Sequence, residues 1–294
     1  MPDILYINGS WSTTDAKVIG VEDRGLQFGD SVYEALKFLR GAPLLVRRHY
    51  ARMRAGLEEL EIPTPWSEEE FLALLRELIA RSGLEEGLVY VQVTRGEAER
   101  AHFWPEGMTP TTIAYARKAK FPDAAKKEKG IAVITVPDER WGRCNVKATT
   151  LLPNALAKKK AQRAKADEAL FVSAQEVTEG ASSTFFAVRE GRLITRTADW
   201  SILAGTVRDE VIDLALNAKI RVDERPVREA ELYALDEAFI TSTSLSVMPV
   251  TMIDGRLVGS GRRGPLTARI QRLFDDFEIA EAARVGRGAS GNRT

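Results

Sequence analysis

Four short segments concentrate the residue types that can do chemistry. In Arg143-Cys144-Asn145-Val146-Lys147-Ala148-Thr149-Thr150, an amine, Lys147, lies between a β-like run and a helix start, among small residues. Partial desolvation there would lower its pKa and make it a nucleophile toward a carbonyl; taken alone, the segment reads more readily as a surface lysine. Val177-Thr178-Glu179-Gly180-Ala181-Ser182-Ser183-Thr184 sets a carboxylate before glycine and four small residues. Such a backbone can approach a ligand closely, with Ser182 and Ser183 as its candidate contacts, or can simply turn between strands. Leu203-Ala204-Gly205-Thr206-Val207-Arg208 opens a helix at a glycine, where free amides and the helix dipole favour an anion; a plain Thr206 cap is the other reading. Thr241-Ser242-Thr243-Ser244 is a hydroxyl cluster suited to phosphate oxygens and also common in turns. A lysine, a helix N-terminus and hydroxyls together point to a phosphorylated ligand carrying an aldehyde. Lys158-Lys159-Lys160, by contrast, falls mid-helix and reads as solvated.

Other chemistry is disfavoured. The 294 residues hold 42 basic and 42 acidic side chains, a net charge of zero that argues against a phosphate-neutralising nucleic-acid binder. One cysteine, Cys144, excludes an internal disulfide or a Cys-rich zinc site, and His49 and His102 are too scattered for a His-based metal centre. There is no Walker loop, no Gly-x-Gly-x-x-Gly turn and no Gly-x-Ser-x-Gly elbow. No apolar run reaches membrane-spanning length and no signal peptide is visible, so the expectation is a soluble, cytoplasmic protein.

The elements that must position these groups read as α+β in two domains. Residues 3–8 alternate as a strand before an Asn8-Gly9 turn. Runs 31–39 and 43–47 flank Arg40-Gly41-Ala42 as a hairpin. A helix face recurs at Tyr50, Met53, Leu57 and Leu60, and Ser67 with Glu70 forms a capping box before Phe71, Leu74, Leu75, Leu78 and Ile79. Strands follow near 88–94 and 111–117. The expected division is a small domain over 1–118, a solvated linker over 119–130 containing Lys126-Lys127-Glu128-Lys129, and a large domain over 131–285. The large domain reads as strands at 131–136, 168–173, 184–188, 192–195 and 238–241 with helices near 153–165, 206–217 and 265–283. Residues 286–294 read as a disordered tail.

In order along the chain stand Glu22-Asp23-Arg24-Gly25-Leu26-Gln27-Phe28-Gly29-Asp30, His49-Tyr50-Ala51-Arg52, Asn145-Val146-Lys147, Thr178-Glu179-Gly180, the Gly205 turn and Thr241-Ser242-Thr243. In these motifs the chain, from about Tyr6 to Leu273, resembles the fold-type IV pyridoxal-phosphate enzymes. That family contains branched-chain and D-amino-acid aminotransferases and aminodeoxychorismate lyase. The resemblance implies pyridoxal 5′-phosphate as cofactor, joined to Lys147 as a lysine aldimine, with Lys147 also moving the substrate Cα proton. It implies that Glu179 pairs with the pyridine nitrogen, so that the protonated ring acts as an electron sink. Arg52 would clamp the phosphate through its guanidinium fork, helped by the amides of Thr206 and Val207 and the hydroxyl of Thr243. Relatives usually carry threonine where Val207 stands. The backbone donors survive that change, one side-chain hydrogen bond does not, and weakened cofactor retention is expected.

The branch is indicated by Arg100-Ala101-His102. Two apart on an extended strand, Arg100 and His102 would point to one side and trap a carboxylate, or else form a salt-bridged surface strand. The pattern is similar to that of D-amino-acid aminotransferases, where the pair and a tyrosine matching Tyr33 hold the substrate α-carboxylate. There the loop comes from the neighbouring subunit, which implies a homodimer. The implied reaction joins a D-amino acid to a 2-oxo acid. A branched-chain or (R)-amine aminotransferase and aminodeoxychorismate lyase are the alternatives on this scaffold, and a regulatory module without turnover is the alternative outside it.

Overall fold

A computed structural model of the chain describes residues 3–290, and the side chains of residues 3–286. It divides into two compact units. The first comprises the chain up to Lys120, Val146–Thr150 and the chain from Glu278; the second comprises Phe121–Asn145 and Leu151–Phe277. In this division the lysine segment and the end of the last helix group with the first unit.

In the first unit, β1 (Ile4–Ile7) and β2 (Ser10–Thr13) pair through Asn8 and Gly9, both at positive φ as a tight hairpin requires. A short helix, α1 (Arg24–Phe28), is capped by Asp23 and stopped by left-handed Gly29 in a stretch that reads as loop. Strand β3 (Ser31–Leu39) turns into β4, which holds only Ala42–Pro43. The strand expected at 43–47 is absent because α2 (Val46–Glu59) begins there, after Leu45 in the left-handed region, whose N–H donates to Glu281 at 3.0 Å. Helix α3 (Glu68–Ser82) has the expected capping box, with three acids in its first turn complementing the dipole. Strands β5 (Glu86–Thr94) and β6 (Thr111–Arg117) complete an antiparallel sheet in the order β2-β1-β6-β5-β3-β4. One face of β3 and β5, with Val32, Leu36, Phe38, Val89, Val91 and Val93, buries against Met53 and Leu57 of α2 and Phe71, Leu75 and Leu78 of α3.

The second unit opens on α4 (Ala124–Lys129). The charged run expected to be linker is thus helical, capped by Asp123 and tied by Lys127 to Asp275 at 2.6 Å. After β7 (Ile131–Pro137), α5 (Leu152–Arg163) presents Ala157 and Ala161 to Val136, Ala169 and Phe171, small residues allowing close approach to the sheet. Strands β8 (Glu168–Ser173), β9 (Glu176–Gly180), β10 (Thr184–Arg189) and β11 (Arg192–Thr195) precede α6 (Thr206–Asn217). Then come β12 (Val222–Glu224), β13 (Val227–Arg228), β14 (Glu237–Ser242), β15 (Ser246–Ile253) and β16 (Arg256–Leu257). The mixed sheet runs β12-β11-β10-β14-β15-β7-β8-β9-β13, with β16 on β15. Helix α7 spans Pro265–Ser290, so residues 286–290 are helical rather than the expected disordered tail; 291–294 lie outside the described residues. Within the first unit, Glu278 of α7 takes two bonds from the buried Lys37 Nζ, at 2.9 and 2.7 Å.

Candidate active site

Lys147 sits in an irregular segment stitched to β3. Its carbonyl accepts the Tyr33 N–H at 3.0 Å, and Ala148 bridges to Val32. The hydroxyls of Ser31 and Thr149 are hydrogen-bonded at 2.5 Å. The Lys147 ammonium lies 4.4 Å from the Tyr33 ring centroid, and Tyr33 in turn stacks on Tyr90 at 5.5 Å. A half-buried amine over an aromatic face fits the candidate nucleophile better than it fits a solvated surface lysine.

Arg52 is not a surface residue of α2. Its Nε and Nη2 donate to the two oxygens of Glu34 at 2.8 Å each, and His49 Nδ1 meets Glu34 Oε2 at 2.6 Å. Glu34 is fully buried on the apolar face of β3. Burial alone would push its carboxyl up, but Arg52 and His49 outweigh that and hold it well below the usual carboxylate range. Burial, with the Arg52 and Lys147 charges, likewise keeps His49 below its ordinary value despite Glu34. The Arg52 guanidinium plane is therefore fixed from behind by a carboxylate.

Glu179 lies on β9 rather than in a loop, and it is buried. Arg140 Nη1 donates to its Oε1 in a close ion pair, and the Leu203 N–H reaches the same oxygen at 3.2 Å. Arg140 is itself gripped by Asp138, through Nε at 2.9 Å and Nη2 at 2.8 Å, donates to the Ser201 carbonyl at 3.2 Å, and lies over the Phe171 ring. Thr178 donates to Asp138 at 2.7 Å. Burial disfavours charge on Arg140, but Asp138 and Glu179 overcome it and hold its pKa well above the ordinary value. The Glu179 carboxylate is thus paired with a guanidinium that Asp138 holds in place.

Gly205 caps α6 without a side-chain hydrogen bond, leaving the first turn to backbone amides. A Cβ at Gly205 would stand 2.7 Å from Thr184 Oγ1. Thr206 and Val207 are both buried; Val207, in place of a hydroxyl residue, packs as an apolar side chain. Thr243 lies in the turn between β14 and β15. Thr241 Oγ1 is buried without a hydrogen-bond partner among the described residues. Ser182 and Ser183, the expected ligand contacts of this segment, both donate their hydroxyl protons to the buried Glu168, at 2.8 and 3.2 Å. Burial pushes the Cys144 thiol up to about 11, and it donates to the Trp141 carbonyl at 3.1 Å, so it is not a reactive thiolate.

Arg100 and His102 are not on a strand. They stand on an irregular loop between β5 and β6, both exposed, so strand alternation is not what pairs them. A shared aromatic does: the Arg100 guanidinium carbon is 4.7 Å from the Phe28 ring centroid and the His102 ring 6.1 Å from it.

Glu34, Asp138, Arg140 and Arg24 escaped sequence reasoning. Glu34 left a signal, a charge at an apolar position of the Val32-Glu34-Leu36-Phe38 alternation. Asp138-x-Arg140 left only its nearness to the lysine segment.

The first unit holds an amine, Lys147, and a braced guanidinium, Arg52; the second holds a buried carboxylate, Glu179, a helix start without a side-chain cap, and a buried Thr241 hydroxyl lacking a partner among the described residues, each a group type that a phosphorylated pyridine aldehyde can use. The chain belongs to the amino-transferase class IV family, whose model matches residues 31–253. Class IV aminotransferases are pyridoxal-phosphate enzymes. The chain is 37% identical over 281 residues to a D-alanine aminotransferase of Bacillus licheniformis, covering 96% of this chain and 99% of that one. It is 36% identical to the D-alanine aminotransferase of Listeria monocytogenes over 280 residues, 95% and 96% of the two chains. The branched-chain amino acid aminotransferase of Escherichia coli superposes with a TM-score of 0.88 at 26% identity, over 96% of each chain. Among the described residues no helix is long and apolar enough to cross a membrane.

Proposed function

We propose that the protein transfers an amino group from a D-amino acid such as D-alanine to a 2-oxo acid such as 2-oxoglutarate, giving pyruvate and D-glutamate. The observation that carries this reading is the pair of side chains gathered on Phe28, Arg100 and His102, in a chain similar along nearly its whole length to D-alanine aminotransferases. Pyridoxal phosphate, when bound, supplies an electrophilic carbon for the amine and an electron sink for the substrate carbanion.

The chain's own residues divide the remaining work. Lys147 holds the coenzyme covalently and moves a proton at the substrate Cα. Glu179, ion-paired with Arg140, holds a proton on the ring nitrogen. Arg52, braced by Glu34, takes the phosphate with the amides of Thr206 and Val207 and the Thr243 hydroxyl. Arg100 offers a planar fork to the substrate carboxylate, with His102 and the Tyr33 hydroxyl beside it. If one face of the coenzyme is served by Lys147, the position of the carboxylate decides which enantiomer turns its Cα hydrogen toward that lysine. Carboxylate capture at Arg100 thus selects the D-series without new chemistry.

Two further features belong to this reading: a homodimer in which Arg100 and His102 of one copy serve the partner's coenzyme, and a cytoplasmic location. The deciding experiment is an absorbance scan of the coenzyme-loaded protein with D-alanine and, separately, L-alanine and L-leucine. Bleaching of the coenzyme band by D-alanine is expected; bleaching by L-leucine alone would favour a branched-chain activity. Arg100→Ala should raise the Michaelis constant for D-alanine sharply, and in Lys147→Ala borohydride should no longer fix coenzyme to the protein. Mixing Arg100→Ala chains with inactive Lys147→Ala chains should restore a low Michaelis constant for D-alanine in the hybrid; no restoration would place Arg100 in the same subunit's site.

A further inference from the structure

The Asp23-to-Asp30 segment, which supplies the Phe28 ring under Arg100 and His102, also holds a buried arginine. Arg24 is 3% exposed. Its Nε donates to Asp30 Oδ2 at 3.0 Å, which fixes the guanidinium plane. The other two nitrogens are spent on three successive carbonyls of the loop that carries Arg100 and His102: Nη1 on Ala101 at 2.7 Å and on Phe103 at 3.5 Å, Nη2 on His102 at 3.4 Å. The Arg24 main chain joins the same loop, its N–H donating to the Gly96 carbonyl at 2.9 Å, and Asp23 bridges to Glu97.

Aromatic contacts extend the clamp. The Arg24 guanidinium carbon lies 4.5 Å from the centroid of Phe28, the ring that also carries Arg100 and His102, and 5.8 Å from that of Trp104. Arg95 braces the arrangement from the far end of β5. It donates to both oxygens of Asp30, at 2.8 and 3.1 Å, bonds the Leu60 and Glu61 carbonyls, and lies 3.8 Å from the Trp104 centroid. Between β5 and β6 the loop's regular pairing is the single Asp23–Glu97 bridge. A segment of that length without regular structure does not hold two side chains in register by its own backbone. A planar five-donor fork that bonds consecutive carbonyls does; an ammonium of equal charge does not, since it offers no fixed plane.

We propose that Arg24, held by Asp30, is a positioning residue for the carboxylate-binding pair: it sets the backbone of residues 101–103 so that Arg100 and His102 present their donors together on Phe28. This rests on the reading of Arg100 and His102 as carboxylate ligands.

The test compares Arg24→Gln, Arg24→Lys, Arg100→Ala and the double variant Arg24→Gln/Arg100→Ala as coenzyme-loaded proteins. Arg24→Gln should raise the Michaelis constant for D-alanine about tenfold, the scale expected when a binding group is displaced without being removed, while kcat and the coenzyme absorbance stay near wild type. Arg24→Lys should recover little of the loss. The double variant should fall clearly short of additive, because the Arg24 change acts in part through the group that Arg100→Ala removes, leaving only its effect through His102. An unchanged Michaelis constant in both Arg24 variants, or effects that add in the double variant, would overturn the role while leaving Arg100 as carboxylate ligand. An Arg100→Ala protein with an unchanged Michaelis constant would remove the functional reading itself, and the proposal with it. Should Arg24→Gln not fold, Arg24→Lys is read in its place, alone and combined with Arg100→Ala.

Discussion

At the scale of single residues, Arg140 decides how Glu179 behaves. A buried carboxylate that loses its cation is driven toward the neutral acid by desolvation, and a neutral acid no longer holds a ring nitrogen protonated through its charge. Arg140→Met should therefore weaken coenzyme retention by about 1–3 kcal/mol, the usual cost of stranding a buried polar group, read as a higher dissociation constant when apoprotein is titrated with pyridoxal phosphate. Arg140→Lys should recover part of it. Cys144 makes the opposite case. With its thiol pushed up to about 11, chiefly by burial, almost none is thiolate near neutrality. A disulfide reagent should label it slowly in the folded protein and fully once guanidinium unfolds the chain; equal rates would contradict the burial described here.

At the scale of elements, legibility followed the locality of the signal. Helix α3 was readable because its capping box and apolar stripe lie within its own residues. Helix α1 was not, since five residues carry no full period and its Asp23 also answers to Thr94, whose hydroxyl donates to it at 2.9 Å. The run at 43–47 looked like a strand, but Leu45 adopts the left-handed region with its N–H satisfied by Glu281, far away in sequence. Glu179 looked like a loop residue because its strand pairs with β8 only over a short, irregular register. The start of α6 yields a test at this scale. Gly205 has an ordinary φ of −70°, so an added methyl meets space rather than backbone strain: Thr184 Oγ1 at 2.7 Å and Arg208 Cβ at 3.1 Å. Gly205→Ala should cost about 1–3 kcal/mol of stability through overpacking, seen as a lower urea midpoint, and should weaken phosphate binding at the same helix end.

For the whole molecule, the buried Glu34 cluster makes acid the expected weakness. Its carboxyl is held far below 4.5, its ordinary value, so the unfolded chain binds that proton more tightly than the native one. The stabilisation is complete above about pH 4.5 and drains away as pH falls below it. His49, neutral in the fold and depressed by burial, acts in the same direction: the unfolded chain takes up its proton first, so stability begins to fall as pH drops through about 6.5. Glu34→Gln should lower stability near neutrality by about 3–5 kcal/mol, the cost of breaking a buried pair, and should flatten the acid limb of a plot of denaturation midpoint against pH. An acid limb of unchanged slope would assign the weakness elsewhere.

What the sequence determined by itself was the set of candidate functional groups. The lysine flanked by small residues, the glutamate before glycine, the glycine opening a helix and the ordered motifs along the chain are local, and local patterns survive without knowledge of the fold. The tertiary structure alone decided how those groups are held. Glu34 reaches His49 and Arg52 from a different element, Arg140 finds Glu179 across a sheet, and Arg24 spans some eighty positions to bond Ala101, His102 and Phe103. Each is a charged group buried at a cost that only distant partners offset. Sequence separation carries no trace of which partners those are.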